Sequence, residues 1–367
     1  MILVIGDPDD RHVRHVTGRL DERGSPYFLF DPRRYPASAE LTVDYDRTGA
    51  VRWFLTCADK RLDLADVRAA WHRARVRPTP APGVPEDQAW WVAETCARFL
   101  SQLYECLDCR WVPERPVSAS APLYQEDADP PACAPWAALP VRAQAPSPEN
   151  KLHQLAVAGR LGFAVPRTLV TNSPERFLDF YEECDGGLIS KRAVNLAPRV
   201  GGVATRPYTV SARRRDAADS SAVRHAPVMF QEKVPKRLEL RVTVVGRRVF
   251  AVEIQSQDSY RQQTDWRHHP EYGQSQFYAT HVLPEAIERR CVQVVEALGL
   301  TFGAIDLILT PDGEYVFLEV NINGQWAYLE DMLALPISDA IAELLIDGTA
   351  DLGCTPPATA GNPRPDS

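Results

Sequence analysis

The segment GAIDLILTPDGEYVFLEVNINGQW, residues 303–326, constrains this chain more than any other stretch. Two β-rich runs flank Asp312-Gly313, a dipeptide suited to a two-residue hairpin loop because both residues tolerate positive φ. With those two residues as the loop, paired positions sum to 625, which sets Asp306 opposite Glu319 and leaves Asn321 on the same face. Ile305, Leu307, Leu309, Val316, Leu318 and Val320 fall on the other face and predict a buried side. Two carboxylates facing each other across a ladder repel, and apolar surroundings make that worse. A cation between them removes the conflict. Two carboxylates and an amide oxygen are hard ligands that suit Mg²⁺, with phosphate oxygens and water completing the shell. An edge hairpin whose acids point to water accounts for the same spacing, so the spacing alone leaves both readings open.

The rest of the chain frames that hairpin. At 367 residues, two or three domains are the natural expectation. A net charge of −8 and a pI near 5.6 argue against nucleic acid as a partner. No apolar run approaches the length that spans a bilayer, so no membrane partner is expected. The first residues, MILVIGDPDD, carry no basic stretch ahead of an apolar one, which predicts a cytoplasmic protein with reduced thiols. Cys106 and Cys109 form a C-x-x-C without a second pair, which reads as two partly buried thiols on a helix rather than a zinc site.

Of 41 basic residues only five are lysines, at 60, 151, 191, 233 and 236. In a chain that otherwise uses arginine, a retained lysine marks places where a compact ammonium is wanted, as at a phosphate.

Residues 2–5, 10–23 and 27–30 read as a βαβ opening without a glycine-rich dinucleotide fingerprint, and residues 41–55 as a hairpin. A helix is expected over 86–109. Residues 113–148, with nine prolines, read as a linker. Ser147 and Pro148 predict the cap and first position of a helix running 151–161, stopped by Gly162. Strands are expected at 168–170, 188–191, 228–232, 238–245 and 249–254, with helices after Ser173 and over 284–298. These readings divide the chain into 1–112, a linker 113–148, 149–232, 233–349, and a Pro/Ala-rich tail 350–367 expected to be disordered.

The D-x₁₂-E-x-N pattern after paired lysines resembles the ATP-grasp superfamily. More narrowly, Trp71-His72-Arg73, KLHQLAVAGRLGFAVPRT from Lys151, QEKVPKRLELRVTVVG, EIQSQ with Asp265-Trp266-Arg267, and the 303–326 segment resemble the ATP-grasp ribosomal peptide maturases of the graspetide, microviridin type. The likeness spans about residues 60–345 and is dense after 150. It implies an α/β (α+β) chain of ATP-grasp fold, with an N-terminal Rossmann-like pre-ATP-grasp domain, a central α/β domain and a C-terminal antiparallel sheet. By the same likeness, Lys151 and Lys191 contact ATP phosphates, Gln231, Glu232, Lys233 and Val234 form the adenine hinge, and Glu239 holds the ribose hydroxyls. Arg241 and Lys191 stabilise the transferring phosphoryl group, Asp306, Glu319 and Asn321 hold Mg²⁺ beside the nucleotide, and the Gly201-Gly202 loop can close over the triphosphate. Three departures stand out. Ile322 replaces the usual proline after the asparagine, Ala74 replaces a second arginine after Arg73, and 113–148 is longer than the usual connection.

The implied activity is ADP-forming: ATP phosphorylates Asp or Glu side chains of a ribosomal precursor peptide, and Ser, Thr or Lys side chains then close ester or amide rings. The implied cofactors are ATP and Mg²⁺, and the implied partner is the leader and core of that peptide, with a homodimer left open. Two rivals stay open at this point: a ligase joining a free amino acid or amine to a protein or metabolite carboxylate, and an ATP binder without turnover.

Overall fold

The structure, a computed structural model, describes residues 1–73, 76–114, 146–191, 199–200, 203–204, 210–212, 220–254 and 277–348. Gly201-Gly202, Ala74, Asp265-Trp266-Arg267, most of the 113–148 linker and the 350–367 tail lie outside the described residues.

The chain opens with β1 (Ile2–Ile5), α1 (Arg11–Glu22) and β2 (Tyr27–Phe30). Asp10 caps α1 by accepting from the His12 amide at 2.7 Å, which sets the helix start one residue inside the expected one. The hairpin β3 (Ala39–Tyr45) and β4 (Val51–Cys57) is extended by β5 (Lys60–Asp63), a third strand the alternation of Leu41, Val43 and Tyr45 gave no hint of. The short strand β6 (Ala69–His72), the helix α2 (Glu86–Cys106) and β7 (Arg110–Val112) complete this part. Strand order is β2-β1-β6-β7, all parallel. The helix α2 ends at Cys106, so Cys109 lies beyond it rather than on it, and neither cysteine is in a disulfide.

The middle of the chain contains α3 (Lys151–Arg160), β8 (Thr168–Thr171), α4 (Pro174–Glu183), β9 (Leu188–Lys191), the two-residue strands β10 (Arg199–Val200), β11 (Val203–Ala204) and β12 (Val210–Ser211), and β13 (Val228–Glu232). The sheet β12-β9-β13-β8 is antiparallel, and α4 covers one face through Phe177 and Phe180 against Leu188 and Phe230. Ser173 caps α4 as its sequence predicts. The cap of α3, however, is Asn150, whose side chain accepts from the amides of Leu152 and His153, and not Ser147. Asparagine is as good a cap as serine, and it sits directly before the first helical residue.

The C-terminal part holds β14 (Leu238–Val245), β15 (Arg248–Ile254), β16 (Tyr278–Thr280), α5 (Glu285–Ala297), β17 (Phe302–Leu309), β18 (Tyr315–Asn321), α6 (Ala327–Leu333) and α7 (Ile337–Asp347). The antiparallel sheet runs β16-β15-β14-β17-β18. One face, carrying Leu240, Val242, Val244, Ile305, Leu307 and Leu309, packs on α5 and α3. Val245, Val252, Ile254 and Phe302 on the other face join a core that runs through α6 and α7 into α1, β1 and β6. The N-terminal sheet therefore shares its core with the last two helices. Arg23, at the end of α1, reinforces that union through ion pairs to Asp339 and Glu343, each 3.1 Å.

The β17–β18 hairpin differs from its sequence reading in two compensating ways. Its connection is the three-residue loop Pro311-Asp312-Gly313, closed by the Thr310 amide on the Glu314 carbonyl at 2.9 Å, with only Gly313 at positive φ (88°). That shifts Leu309 opposite Tyr315. A bulge at Leu318 then restores the register, so Asp306 does pair with Glu319. Between the two shifts the faces exchange: Phe317, fully buried, points into the core in place of Val316 and Leu318.

Gln154 fixes this edge strand. Its carboxamide accepts from the Val320 amide at 3.0 Å and donates to the Val320 carbonyl at 2.9 Å, at 1% exposure. Among the described residues, no helix is long and apolar enough to cross a membrane. Gln154→Leu keeps the volume but strands both Val320 groups, and should cost about 2–4 kcal/mol in denaturant unfolding, a loss larger than a surface substitution on the same helix would give.

Candidate active site

Three neighbouring strands place charges side by side. Arg241 on β14 is the partner of Asp306 on β17, and Asp306 is the partner of Glu319 on β18, so the three residues form a row across one sheet face. Arg241 Nη1 lies 3.0 Å from Asp306 Oδ1, and Asn321 Nδ2 donates to Asp306 Oδ2 at 2.9 Å. Lys151, the first residue of α3, reaches Glu319 Oε2 at 2.8 Å. The Gln154 clamp is one turn further along the same helix, so the bond that holds the edge strand also aims Lys151 at Glu319.

The electrostatics follow from this crowding. Burial pushes the Glu319 carboxyl up, but Lys151, Lys191 and Arg241 outweigh it and hold the group at about 2. Burial likewise works against the Arg241 charge, and Asp306, Tyr328 and Glu319 more than restore it, raising its pKa. Lys191 ends β9, on the face that also carries Met229 and Gln231 and lies opposite α4. Lys151, Lys191, Arg241, Asp306, Glu319 and Asn321 thus converge, from one helix and two sheets.

The remaining expected site residues lie along the connection between those sheets. Gln231 is 1% exposed and donates to Thr168 Oγ1 at 3.0 Å. Glu232, next to it on the strand, faces the α4 side and accepts from the Arg167 amide at 2.9 Å, so its carboxylate does not share a face with Lys191. Lys233 bonds through its backbone amide to the Gly187 carbonyl at 2.7 Å, Val234 is half-buried, and the Arg237 amide binds Leu309 at 2.8 Å. Glu239 lies two residues from Arg241 on the same face of β14 and is ion-paired to Lys236.

The donor set fits a hard divalent cation bound together with phosphate. Asp306 and Glu319 share a face with Asn321, whose amide needs only to turn to present oxygen instead of nitrogen to the same point. Two carboxylates alone make no complete protein cage, and among the described residues no group of three or more His, Cys, Asp or Glu side chains could hold a metal. That is the expected economy for Mg²⁺, which keeps waters and takes substrate phosphates as ligands. Sequence reasoning missed Gln154 and Tyr328. A buried glutamine one turn after a site lysine was the available signal for the first, and nothing in the sequence pointed to the second.

Because the folded Glu319 carboxyl lies below its ordinary value of 4.5, its ionisation stabilises the fold above that pH, and the contribution disappears as pH falls toward 2. Lys151→Met removes the largest attraction and leaves burial in place. The Glu319 titration, followed by carbon NMR of the carboxyl, should then move upward, and Glu319→Gln should flatten the acid side of the stability curve.

The sequence matches no protein-family model and no curated protein. Solved structures do match. A RiPP-associated ATP-grasp ligase of Chryseobacterium gregarium, in complex with ADP and a leader and core peptide, is 25% identical, with 95% of this chain and 97% of that chain covered at a TM-score of 0.79. The macrocyclase MdnC of Microcystis aeruginosa, bound with precursor peptide MdnA, is 28% identical over 95% of this chain and 100% of that one, at 0.75. The macrocyclase MdnB of the same organism is 28% identical over 95% and 99%, at 0.70. This chain has the ATP-grasp fold and, over nearly its whole length, the architecture of the RiPP-associated ATP-grasp ligases.

Proposed function

We propose that this protein is an ATP- and Mg²⁺-dependent peptide ligase that closes ester or amide rings within a ribosomal precursor peptide. The observation that carries the reading is the convergence of Lys151, Lys191 and Arg241 on the Asp306–Glu319 pair, set within an architecture whose solved relatives hold ADP and precursor peptides. Three cations around two carboxylates leave net positive charge, which suits a triphosphate. Bound Mg²⁺ would supply charge neutralisation at the transferring phosphoryl group, with Asp306, Glu319 and Asn321 as its protein ligands.

The roles of the chain's own residues follow from where they stand. Lys151 and Lys191 approach from α3 and β9 and neutralise phosphate oxygens, and Lys191 with Arg241 stabilises charge on the phosphoryl group in flight. Gln231 and the Lys233–Val234 backbone, on the connection between the two sheets, would hold adenine, and Glu239 the ribose; Glu232 would contribute through its backbone, because its carboxylate serves Arg167. A peptide Asp or Glu carboxylate oxygen bonds to the γ-phosphorus as the bond to ADP breaks, giving an acyl phosphate. A Ser or Thr hydroxyl, or a Lys amine, then attacks the acyl carbon, inorganic phosphate leaves, and the nucleophile's proton passes to solvent. Each ring removes one water from the peptide. A cytoplasmic setting, where ATP and reduced thiols coexist, suits this chemistry.

Incubating the protein with ATP, Mg²⁺ and candidate precursors encoded beside its gene should yield peptides lighter by one or more waters in intact mass spectra. Glu319→Gln should abolish the change, and Lys191→Met should lower turnover by about 10²–10³-fold. Unchanged peptide masses, with ATP-dependent addition of a free amino acid instead, would replace this reading with that of a free-amine ligase.

A further inference from the structure

Two residues of the N-terminal domain, braced by a third, reach across to the loop that follows the metal-binding end of the site. Arg73, directly after β6, is 8% exposed and donates from Nη1 to the Asn323 carbonyl at 2.9 Å, while its Nε lies 3.5 Å from Asp10 Oδ2. His12, 5% exposed, accepts at Nε2 from the Trp326 amide at 3.1 Å, and its Nδ1 lies 2.7 Å from Asp10 Oδ1. Only one tautomer satisfies both contacts: Nδ1–H donating to Asp10, with Nε2 as acceptor. The imidazole also stands edge-on to the Trp326 ring, centroids 4.9 Å apart. Arg73 Nη2 lies 3.0 Å from Nδ1, so a buried guanidinium and a buried imidazole stand together against the half-buried Asp10 carboxylate.

On its other side the same loop is pressed against β17. A Cβ on Gly324 would stand 2.3 Å from the Ala304 Cβ, and the Gly324 amide bonds to the Asn321 carbonyl at 3.2 Å. Ile322 and Trp326 are buried at 3% and 1% exposure. The loop is thereby held at nearly every residue immediately after Glu319 and Asn321. Burying a guanidinium is expensive, and fold stability alone would be served as well by apolar packing. A fork that bonds a specific carbonyl fixes position, which packing does less well.

We propose that Arg73 and His12 are positioning residues for the metal-binding end of the site: through Asn323 and Trp326 they hold the 322–326 loop so that Asn321 and Glu319 stay in place over Asp306. This inference rests on the reading of Asp306, Glu319 and Asn321 as ligands to Mg²⁺. It assigns the N-terminal domain a part in preparing the site, acting through backbone groups and without touching nucleotide.

The test compares Arg73→Met and His12→Phe with His12→Gln, whose amide oxygen replaces the Nε2 acceptor. Hydrogen exchange is read at the amides of 322–326 in nucleotide-free protein, and the Mg²⁺ concentration for half-maximal ADP binding is read by calorimetry. Both disruptive variants should speed exchange in that segment and raise the Mg²⁺ requirement about 10–100-fold, the range seen when partners of metal ligands are removed, while His12→Gln stays near wild type. Should His12→Phe fail to fold, Arg73→Lys, which keeps the charge but loses the fork, carries the comparison. Unchanged exchange, or faster exchange with an unchanged Mg²⁺ requirement, overturns the proposal. Wild-type protein that binds no ADP with Mg²⁺ overturns the functional reading itself, a failure visible before any variant is made.

Discussion

Everything at the site depends on three strands staying in register. Arg241, Asp306 and Glu319 neighbour one another only because β14, β17 and β18 pair as they do, and a slip of one residue would send each side chain to the opposite face. Like-charged neighbours on a sheet are a standing source of strain, so this register needs external support. It comes from both sides of the row: Arg241 neutralises Asp306 from β14, and Lys151 neutralises Glu319 from α3. The helix that supplies the lysine also supplies Gln154, which ties the edge strand by its backbone at Val320. Charge placement and strand placement are thus one construction. A displacement of α3 would loosen β18 and uncover Glu319 together.

The division of the chain into separate parts is less clean in the core than along the sequence. Val13, Val16 and Leu20 of α1 lie in the same apolar cluster as Ile337, Ile341 and Leu344 of α7, so the opening of the chain is completed by its end. The middle sheet with α4 has a small core of its own and meets the C-terminal sheet through the Lys233–Arg237 connection. The middle sheet is thus a small unit, and the C-terminal sheet, packed on both faces, is a broad one. Lys191 and Gln231 stand on the small unit, while the carboxylates, Arg241 and Lys151 stand on the broad one.

How far the sequence reveals this arrangement depends on the range of the interaction involved. Strands at 188–191, 228–232 and 238–245 were readable from alternation and their bounding residues, and the α4 cap from Ser173-Pro174, because these signals are local. The pairing of Asp306 with Glu319 was also readable, though through a two-residue loop that the chain does not make. The extra loop residue and the bulge at Leu318 each shift the register by one, in opposite directions. Alternation cannot reveal a bulge, since Val316, Phe317 and Leu318 are all apolar and any of them could fill the core. The short strands β6 and β7 and the helices α6 and α7 escaped notice because their identity comes from burial against α1 and β1, far away in sequence. Arg73 stood out as a motif, but its bond to the Asn323 carbonyl crosses 250 residues and leaves no local trace.

The two kinds of cation at the site divide the work according to their chemistry. Arg241 and Arg73 are buried, each held against a carboxylate, with forked heads that fix direction. Lys151 carries its charge on a flexible stem at the end of a helix, 20% exposed, touching a single oxygen of Glu319. When an anion enters, such an ammonium can turn to it with little desolvation cost, and a metal ion can take its place beside the carboxylate. A guanidinium in that position would have to break a bidentate geometry to do the same. In a chain with 36 arginines and five lysines, two of the ammonium groups, those of Lys151 and Lys191, act on one carboxylate, that of Glu319.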